Sequence, residues 1–455
     1  MQQAGSLPAA RVFSRIDFGQ GAVAAISGGS DSTALLILLK DHFNRFLPSA
    51  RLIAVTVDHA LRPASTKEAQ VVAGLCAQLG IAHRIVAWEG AKPSIGVPAA
   101  AREARYRLLA DVARDEGLDI VVTGHTADDQ AETIEMRQAR DEGPGLAGMA
   151  PATLYEGDIW ILRPVLAERR SALRALLTAR GLGWIDDPTN LDQTFERPRV
   201  RATLAENENR IEDLLVIAGR AAREREDLSH RAAVLIDRYA SRSTRGLIRL
   251  DAAFALEVDR PAALQALRTL LAVVGGMSFL PDGARVADLF AMVSAGTGRA
   301  TLSRTVIDTR RVGIFLHREA RGLPAPATPS DGSLWDGRYR ITFNNGADDH
   351  VIAPFGREGA HKAAGLVGED VPASLFRAAL AVEPALWRHA ICIGMLGESG
   401  DLPGATATPV VAPFARFLSG FDLKVACAAS ALVGAAPIPR SPLKMPAGSK
   451  ASANA

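Results

Sequence analysis

Residues 22–40 read AVAAISGGSDSTALLILLK: an unbroken apolar run, a glycine loop, and an apolar helical pattern from Ser32 to Leu39. Ala22 to Ile26 has the length and continuity of a buried strand. Ser27-Gly28-Gly29-Ser30-Asp31-Ser32 then lets the backbone turn tightly and bring its N–H groups close to an anion. The following helix adds the positive end of its dipole, and the serine hydroxyls add further donors. Ser and Asp are also good helix caps, so a merely capped strand–helix turn is the competing reading. The loop lacks GxxxxGK[ST], so no lysine clamps terminal phosphates as in an ordinary P-loop. Asp31 sits awkwardly beside phosphates unless a Mg2+ ion lies between them.

Working outward, the same alternation recurs. Strand-like runs at Arg51–Val57, His83–Trp88 and Asp119–Thr123 are each followed by a helical pattern, at Thr66–Leu79, Pro98–Glu116 and Asp128–Arg137. Continuous apolar strands separated by helices predict an α/β fold with a parallel sheet covered on both faces. Ligands of such sheets collect at the carboxyl ends of the strands, where the polar motifs of this chain fall. Residues 1–205 are read as this nucleotide domain, 206–321 as mainly helical and 322–332 (GLPAPATPSDG) as a linker. Residues 333–435 are read as a small strand-containing α+β module and 436–455 as a disordered tail.

Composition excludes some classes. Aromatics at 5% argue against a base-stacking platform, and a net charge of +2 neither requires nor rules out a nucleic-acid partner. The three cysteines, Cys76, Cys392 and Cys427, form no CxxC pair, which predicts buried free thiols in a reducing compartment. No secretory leader or membrane-spanning run is evident, so a cytoplasmic location is expected.

Several polar groups stand out on chemistry alone. His125, Asp129 and Glu132 recur at helical spacing, which presents an imidazole and two carboxylates on one face, suited to an ammonium group or a metal. A solvated acidic first turn is the plainer reading. Asp128 suits either an N-cap or a site. Asp58 and His59 end a strand and serve either a ligand or a turn. Arg102 and Arg105 lie three apart on one helix face, either as surface ion-pair partners or as phosphate-facing cations. His42 and His83 are read as structural. Met136–Met149 contains Gly143, Gly145 and Gly148, the composition of a mobile loop.

SGGSDS after a strand resembles the signature of the N-type ATP pyrophosphatases, the PP-loop superfamily. Six further segments narrow the resemblance: VDHALR (57–62), AREARY (101–106), TGHTADDQAET (123–133), GLAGM (145–149), LRPVL (162–166) and WIDDPTN (184–190). Over residues 20–201 their order and spacing are similar to the tRNA(Ile)-lysidine synthetases. That resemblance implies ATP, Mg2+ bridged by Asp31, free L-lysine and a tRNA(Ile) with a CAU anticodon as ligands. It further implies phosphate contacts from Ser27–Ser32, adenosine near Asp58 and His59, and the reacting centre at Arg105, His125, Asp129 and Glu132. The sequence departs from the family at Arg197-Pro198-Arg199-Val200-Arg201, where RNxxR is usual, and before Gly145. Arg201 still matches and is kept as a contact for ATP or tRNA. Downstream domains would grip the tRNA; the oligomeric state, monomer or dimer, stays open. The alternatives are a PP-loop tRNA thiolase, for which Cys76 alone supplies no cysteine pair, and a nucleotide-binding module without catalysis.

Overall fold

The computed structural model describes residues 8–60, 65–93, 95–140, 143–186, 192–296, 298–328, 332–343, 349–363, 371–397 and 405–444. They belong to two units, Met1–Glu224 with Arg440–Ala455, and Arg225–Pro439. The first unit contains α1 (Ala9–Phe13), β1 (Gly21–Ala25), α2 (Ser30–Phe46), β2 (Arg51–Asp58), α3 (Ser65–Gln78), β3 (Ala82–Ala87) and α4 (Val97–Asp115). After these come β4 (Ile120–Val122), α5 (Ala127–Gln138), β5 (Ala152–Tyr155), β6 (Ile159–Leu162), α6 (Arg170–Ala179) and α7 (Glu196–Ala205). The division between units falls within α8 (Glu208–Tyr239).

The expected α/β fold is present. In the first unit the strands run in the order β5-β6-β4-β1-β2-β3. Pairs β1–β2, β2–β3, β1–β4 and β4–β6 are parallel, while β5 returns antiparallel to β6. Gly21 makes the first pairing possible: at φ +146°, a Cβ there would lie 2.1 Å from the Arg51 carbonyl oxygen. Residues of α4, among them Tyr106, Leu109 and Val112, join Val23, Val55 and Val121 in a core on one face. Right-handed crossovers place α2 and α3 on the other. Because the chain goes from β1 outward to β3 and then returns to β4, the crevice between β1 and β4 is a topological switch point.

The second unit has the helices expected over 206–321 and adds a sheet that the sequence reading did not include. Beyond α8 it forms an antiparallel sheet of β7 (Ala240–Thr244), β8 (Leu247–Leu250), β9 (Gly298–Leu302), β10 (Thr305–Arg310) and β11 (Gly313–Arg318). Packed with it are α9 (Arg260–Gly275) and α10 (Gly283–Ser294). The β9–β10 turn is made by Ser303 and Arg304, both at positive φ (50° and 59°). Such turns ordinarily announce themselves with Asn-Gly, so this hairpin carries no signal in the sequence. Two short antiparallel sheets follow, one including β12 (Leu334–Trp335) and β13 (Tyr339–Phe343), the other β14 (His350–Pro354).

The segment read as a linker is bound into this unit. Ala327 bridges to Ile352, and Asp336 just beyond it accepts from the Arg318 guanidinium at 3.0 and 3.1 Å. Arg338 joins Asp336 (2.8 Å) to Glu383 (2.7 Å), and Arg245 closes on Glu383 at 2.8 Å. Asp336 and Glu383 side chains are fully buried. The tail from 436 is also ordered in part: Leu443 bridges to Ile16, and Pro442 accepts from the Asp17 N–H. Residues 445–455 lie outside the described residues. Of the cysteines, Cys76 is buried as expected, whereas Cys392 is half-buried and Cys427 exposed; all are free. Among the described residues no helix is long and apolar enough to cross a membrane.

Removing one partner of a buried ion pair leaves an uncompensated charge, at a cost of about 3–5 kcal/mol. Asp336→Ala strands the fully buried Arg318, and chemical denaturation of the full chain is expected to show a loss of that order in the transition of the second unit.

Candidate active site at the carboxyl edge of the sheet

The loop Ser27–Ser32 leaves β1 at the switch point and enters α2 two residues earlier than the sequence pattern suggests, so Ser30, Asp31 and Ser32 form the first helical turn. Gly28, at φ +84°, could not be another residue: a Cβ would meet Ile185 at 2.8 Å and Val72 at 2.9 Å. The Ile185 N–H donates to the Gly28 carbonyl at 2.9 Å, so the WID stretch lies directly on the loop. Ser32 Oγ accepts from the Ser27 N–H at 3.2 Å and donates to the Gly29 carbonyl at 3.1 Å, fixing the turn. From the neighbouring strand, Gly124 approaches so closely that a Cβ would stand 3.0 Å from the Ser32 backbone.

Beside this loop the acidic residues converge. Thr126 caps α5 in a reciprocal capping box with Asp129. His125 therefore precedes the helix rather than sharing its face, and only Asp129 and Glu132 project from the helix itself. Arg170, the first residue of α6, reaches across: its Nε donates to Asp31 Oδ2 at 2.8 Å, Nη2 to Asp129 Oδ1 at 3.0 Å and Nη1 to Glu132 Oε1 at 3.4 Å. Burial opposes the charge on Arg170, but Asp129, Asp31 and Glu132 outweigh it and raise its pKa. The Asp31 carboxyl is itself pushed up, chiefly by burial, against the pull of Arg170.

Glu132, with a side chain 2% exposed, is also held by Arg197 (2.7 Å) and Arg201 (2.7 and 3.2 Å) of α7, and Arg197 adds a bond to Asp129 at 3.1 Å. The irregular Pro198 fits because it lies in the first turn of α7, where a backbone N–H has no intrahelical partner to lose. Asp128, ambiguous in sequence, accepts from the Arg170 N–H at 2.7 Å and faces the Arg169 guanidinium at 3.4 Å. It anchors α6.

His125 lies toward a second, basic group. Its pKa is lowered well below the ordinary histidine value, first by burial and then by Arg105, Arg163, Arg102 and Arg197. Nδ1 is 3.0 Å from Thr123 Oγ1, which in turn donates to the Leu162 carbonyl. This pattern puts the ring proton on Nδ1 and leaves Nε2 as an acceptor. Burial would raise the Tyr106 phenol, but Arg105, Arg163 and Arg102 overcome it and bring it down to about 8. Arg105 Nε is buried without a hydrogen-bond partner among the described residues.

Other expected residues have different occupations. Asp58 accepts from Ala60 N–H (2.8 Å), Ser65 (2.7 Å) and Thr66 (2.8 Å), so its carboxylate shapes the turn into α3. His59 stands edge-on to Trp88, its Nδ1 buried and without a hydrogen-bond partner among the described residues. Burial, then Arg105, lower its pKa. The glycine loop at 143–149 is clasped: Arg137 donates to the carbonyls of Gly145 (2.5 Å) and Gly148 (3.2 Å), and the Gln130 amide brackets Met149 (2.8 and 3.2 Å). His42 packs among Phe13, Phe18 and Phe46, and His83 bonds Thr56 at 2.9 Å, both structural as expected. The Arg62 and Asp187–Asn190 portions of the motifs lie outside the described residues. Sequence reading missed Arg170, Arg163 and Arg197. Only the Arg-Arg pair opening a helix after LRPVL could have flagged the first.

A histidine with a depressed folded pKa takes up its proton more readily when unfolded, so it favours the folded state less as pH falls below about 6.5. The wild-type melting temperature is therefore expected to fall more between pH 7.5 and 5.5 than that of His125→Gln, which cannot titrate. Parallel curves would contradict a neutral buried imidazole.

A family model described as a PP-loop domain matches residues 10–208. The tRNA(Ile)-lysidine synthase of Mesorhizobium japonicum is 57% identical over 440 residues, covering 95% of this chain and 96% of that protein. The tRNA(Ile)-lysidine synthase of Rhizobium meliloti is 39% identical, covering 92% and 93%. Among solved structures, a U34-tRNA thiolase from Methanococcus maripaludis with its [4Fe-4S] cluster superposes on 48% of this chain and 77% of its own at 19% identity and a TM-score of 0.41. With its phosphate loop, its carboxylate cluster and near full-length identity to two such enzymes, the chain belongs to the tRNA(Ile)-lysidine synthase family.

Proposed function

We propose that the chain converts the wobble cytidine of a CAU-anticodon tRNA(Ile) to lysidine at the expense of ATP. The cytidine O2 attacks the α-phosphorus, and the bond to pyrophosphate breaks. The ε-amine of free L-lysine then attacks C2, the C2–O2 bond breaks, and AMP leaves with that oxygen while the amine sheds its protons. The observation that carries this reading is the meeting, at one switch point, of an anion loop, an acidic cluster and a basic cluster around a neutral histidine.

Each part has a task in that sequence. The N–H groups and hydroxyls of Ser27, Gly28, Gly29, Ser30 and Ser32 receive the departing pyrophosphate. Asp31 offers hard carboxylate oxygens at the first turn of α2 and has one cationic partner among the described residues, which fits a divalent ion. Mg2+ held there, with Asp129 close by, would neutralise polyphosphate charge. Asp129 and Glu132 suit the lysine ammonium groups, and neutral His125 accepts a hydrogen bond from the amine without repelling it. Arg105, half-buried near His59 and His125 with an Nε–H that has no partner among the described residues, faces developing negative charge. Arg201 acts by fixing Glu132. Asp58 and His59 border the adenosine, and residues 333–435 contribute to holding the tRNA body in the cytoplasm.

A tRNA-dependent ATP–pyrophosphate exchange assay, with lysidine scored by mass spectrometry, tests the activity; exchange indifferent to tRNA would refute it. Asp129→Asn should keep exchange while raising the lysine KM roughly 10- to 100-fold, the worth of a hydrogen bond to a charged group. An unchanged KM would remove Asp129 from the lysine site.

A further inference from the structure

The acidic cluster is unevenly neutralised. Glu132 has three guanidinium partners and Asp129 two, but among the described residues Asp31 has Arg170 alone. Withdrawing Arg170 therefore leaves Asp129 and Glu132 with Arg197 and Arg201, and strips Asp31 only. The main chain of Arg170 is fixed, because Asp128 accepts its N–H at the start of α6. Its long side chain, 17% exposed, is the part free to swing.

We propose that Arg170 is a resident counter-ion for Asp31, swinging off that carboxylate when a divalent cation arrives with the nucleotide. The inference rests on the reading of Asp31 as the metal-facing residue. Before loading, the guanidinium keeps a half-buried carboxylate from standing unpaired beside Asp129. On loading, the cation takes over that neutralisation, and the phosphates offer the guanidinium a new anionic partner. The metal alone must compete with Arg170 for Asp31 without supplying that partner; metal and nucleotide together need not. Binding order is thus built into the charge balance of Asp31, Asp129 and Glu132, and Asp128 limits the motion to one side chain.

Manganese binding to the full chain without nucleotide, followed by electron paramagnetic resonance, tests this directly. Arg170→Gln should bind Mn2+ on the order of tenfold more tightly than wild type, since the carboxylate is no longer shared. The gain should vanish in Arg170→Gln combined with Asp31→Asn. Equal or weaker binding by folded Arg170→Gln would overturn the proposal. Should that variant fail to fold, nitrogen-detected NMR of the wild-type arginine Nε–H groups decides, with Arg170 assigned by its loss in Arg170→Lys. Its resonance should shift on adding Mg2+ with an ATP analogue uncleavable between the α- and β-phosphates, and stay in place with Mg2+ alone. No shift with the pair, or the same shift with either, overturns the proposal. Neither measurement uses tRNA or lysine, so failed exchange with intact metal results would sink the activity and spare this inference, and the converse holds.

Discussion

Carboxylates brought together out of water repel one another, and each loses its hydration; they stay ionised only where cations are built in beside them. At the edge of this sheet Asp31, Asp129 and Glu132 meet that condition through Arg170, Arg197 and Arg201. The remainder of the first unit serves that arrangement. The α6 helix begins where Asp128 pins it, α7 begins where two arginines one turn apart can reach the same glutamate, and α5 begins with a cap that already uses one oxygen of Asp129. The three helix starts place the charges to within hydrogen-bonding distance.

The same site separates charge by sign. Acidic groups lie between the loop and α6, whereas Arg102, Arg105 and Arg163 surround Tyr106 and His125 on the α4 side. His125 stays neutral because both burial and its neighbours disfavour a proton, not because it is remote from acids. A substrate carrying both ammonium and phosphate finds complementary surfaces a few side chains apart, which suits a reaction that joins an amine to an adenylated base.

Much of the first unit was legible in sequence because its physics is local. Continuous apolar runs gave the parallel strands, and the glycine loop stood out as a tight turn after the first of them; the pressure of Ile185 and Val72 on Gly28 appears only in the fold. The arginines were not legible in the same way. Arg170 is 139 residues from Asp31, and nothing in its own neighbourhood shows that α6 will point it there. Asp58 shows the same limit: its carboxylate also receives Ala60, Ser65 and Thr66 and shapes the turn into α3, a structural use that its place at a strand end did not show. In the second unit, a hairpin turned by Ser303-Arg304 at positive φ hides strands that Gly or Asn would have announced. Pro- and Gly-rich spacing at 322–332 imitates a linker, and the Ala327–Ile352 bridge with the flanking Arg318–Asp336 pair shows that the chain does not let go there.

Residues 442–444 close on Arg15, Ile16 and Asp17, next to the short first helix whose Arg11 grips Glu168; the Glu168 carbonyl in turn accepts from Ala127 at the head of α5. The first unit is therefore completed by residues that follow the whole of the second unit along the chain. On the ribosome, its first two hundred residues emerge while the segment that completes them is still being translated behind the whole second unit. A nascent chain cut short anywhere in that second unit lacks this clasp, so the first unit cannot close its own seam until the second has been made.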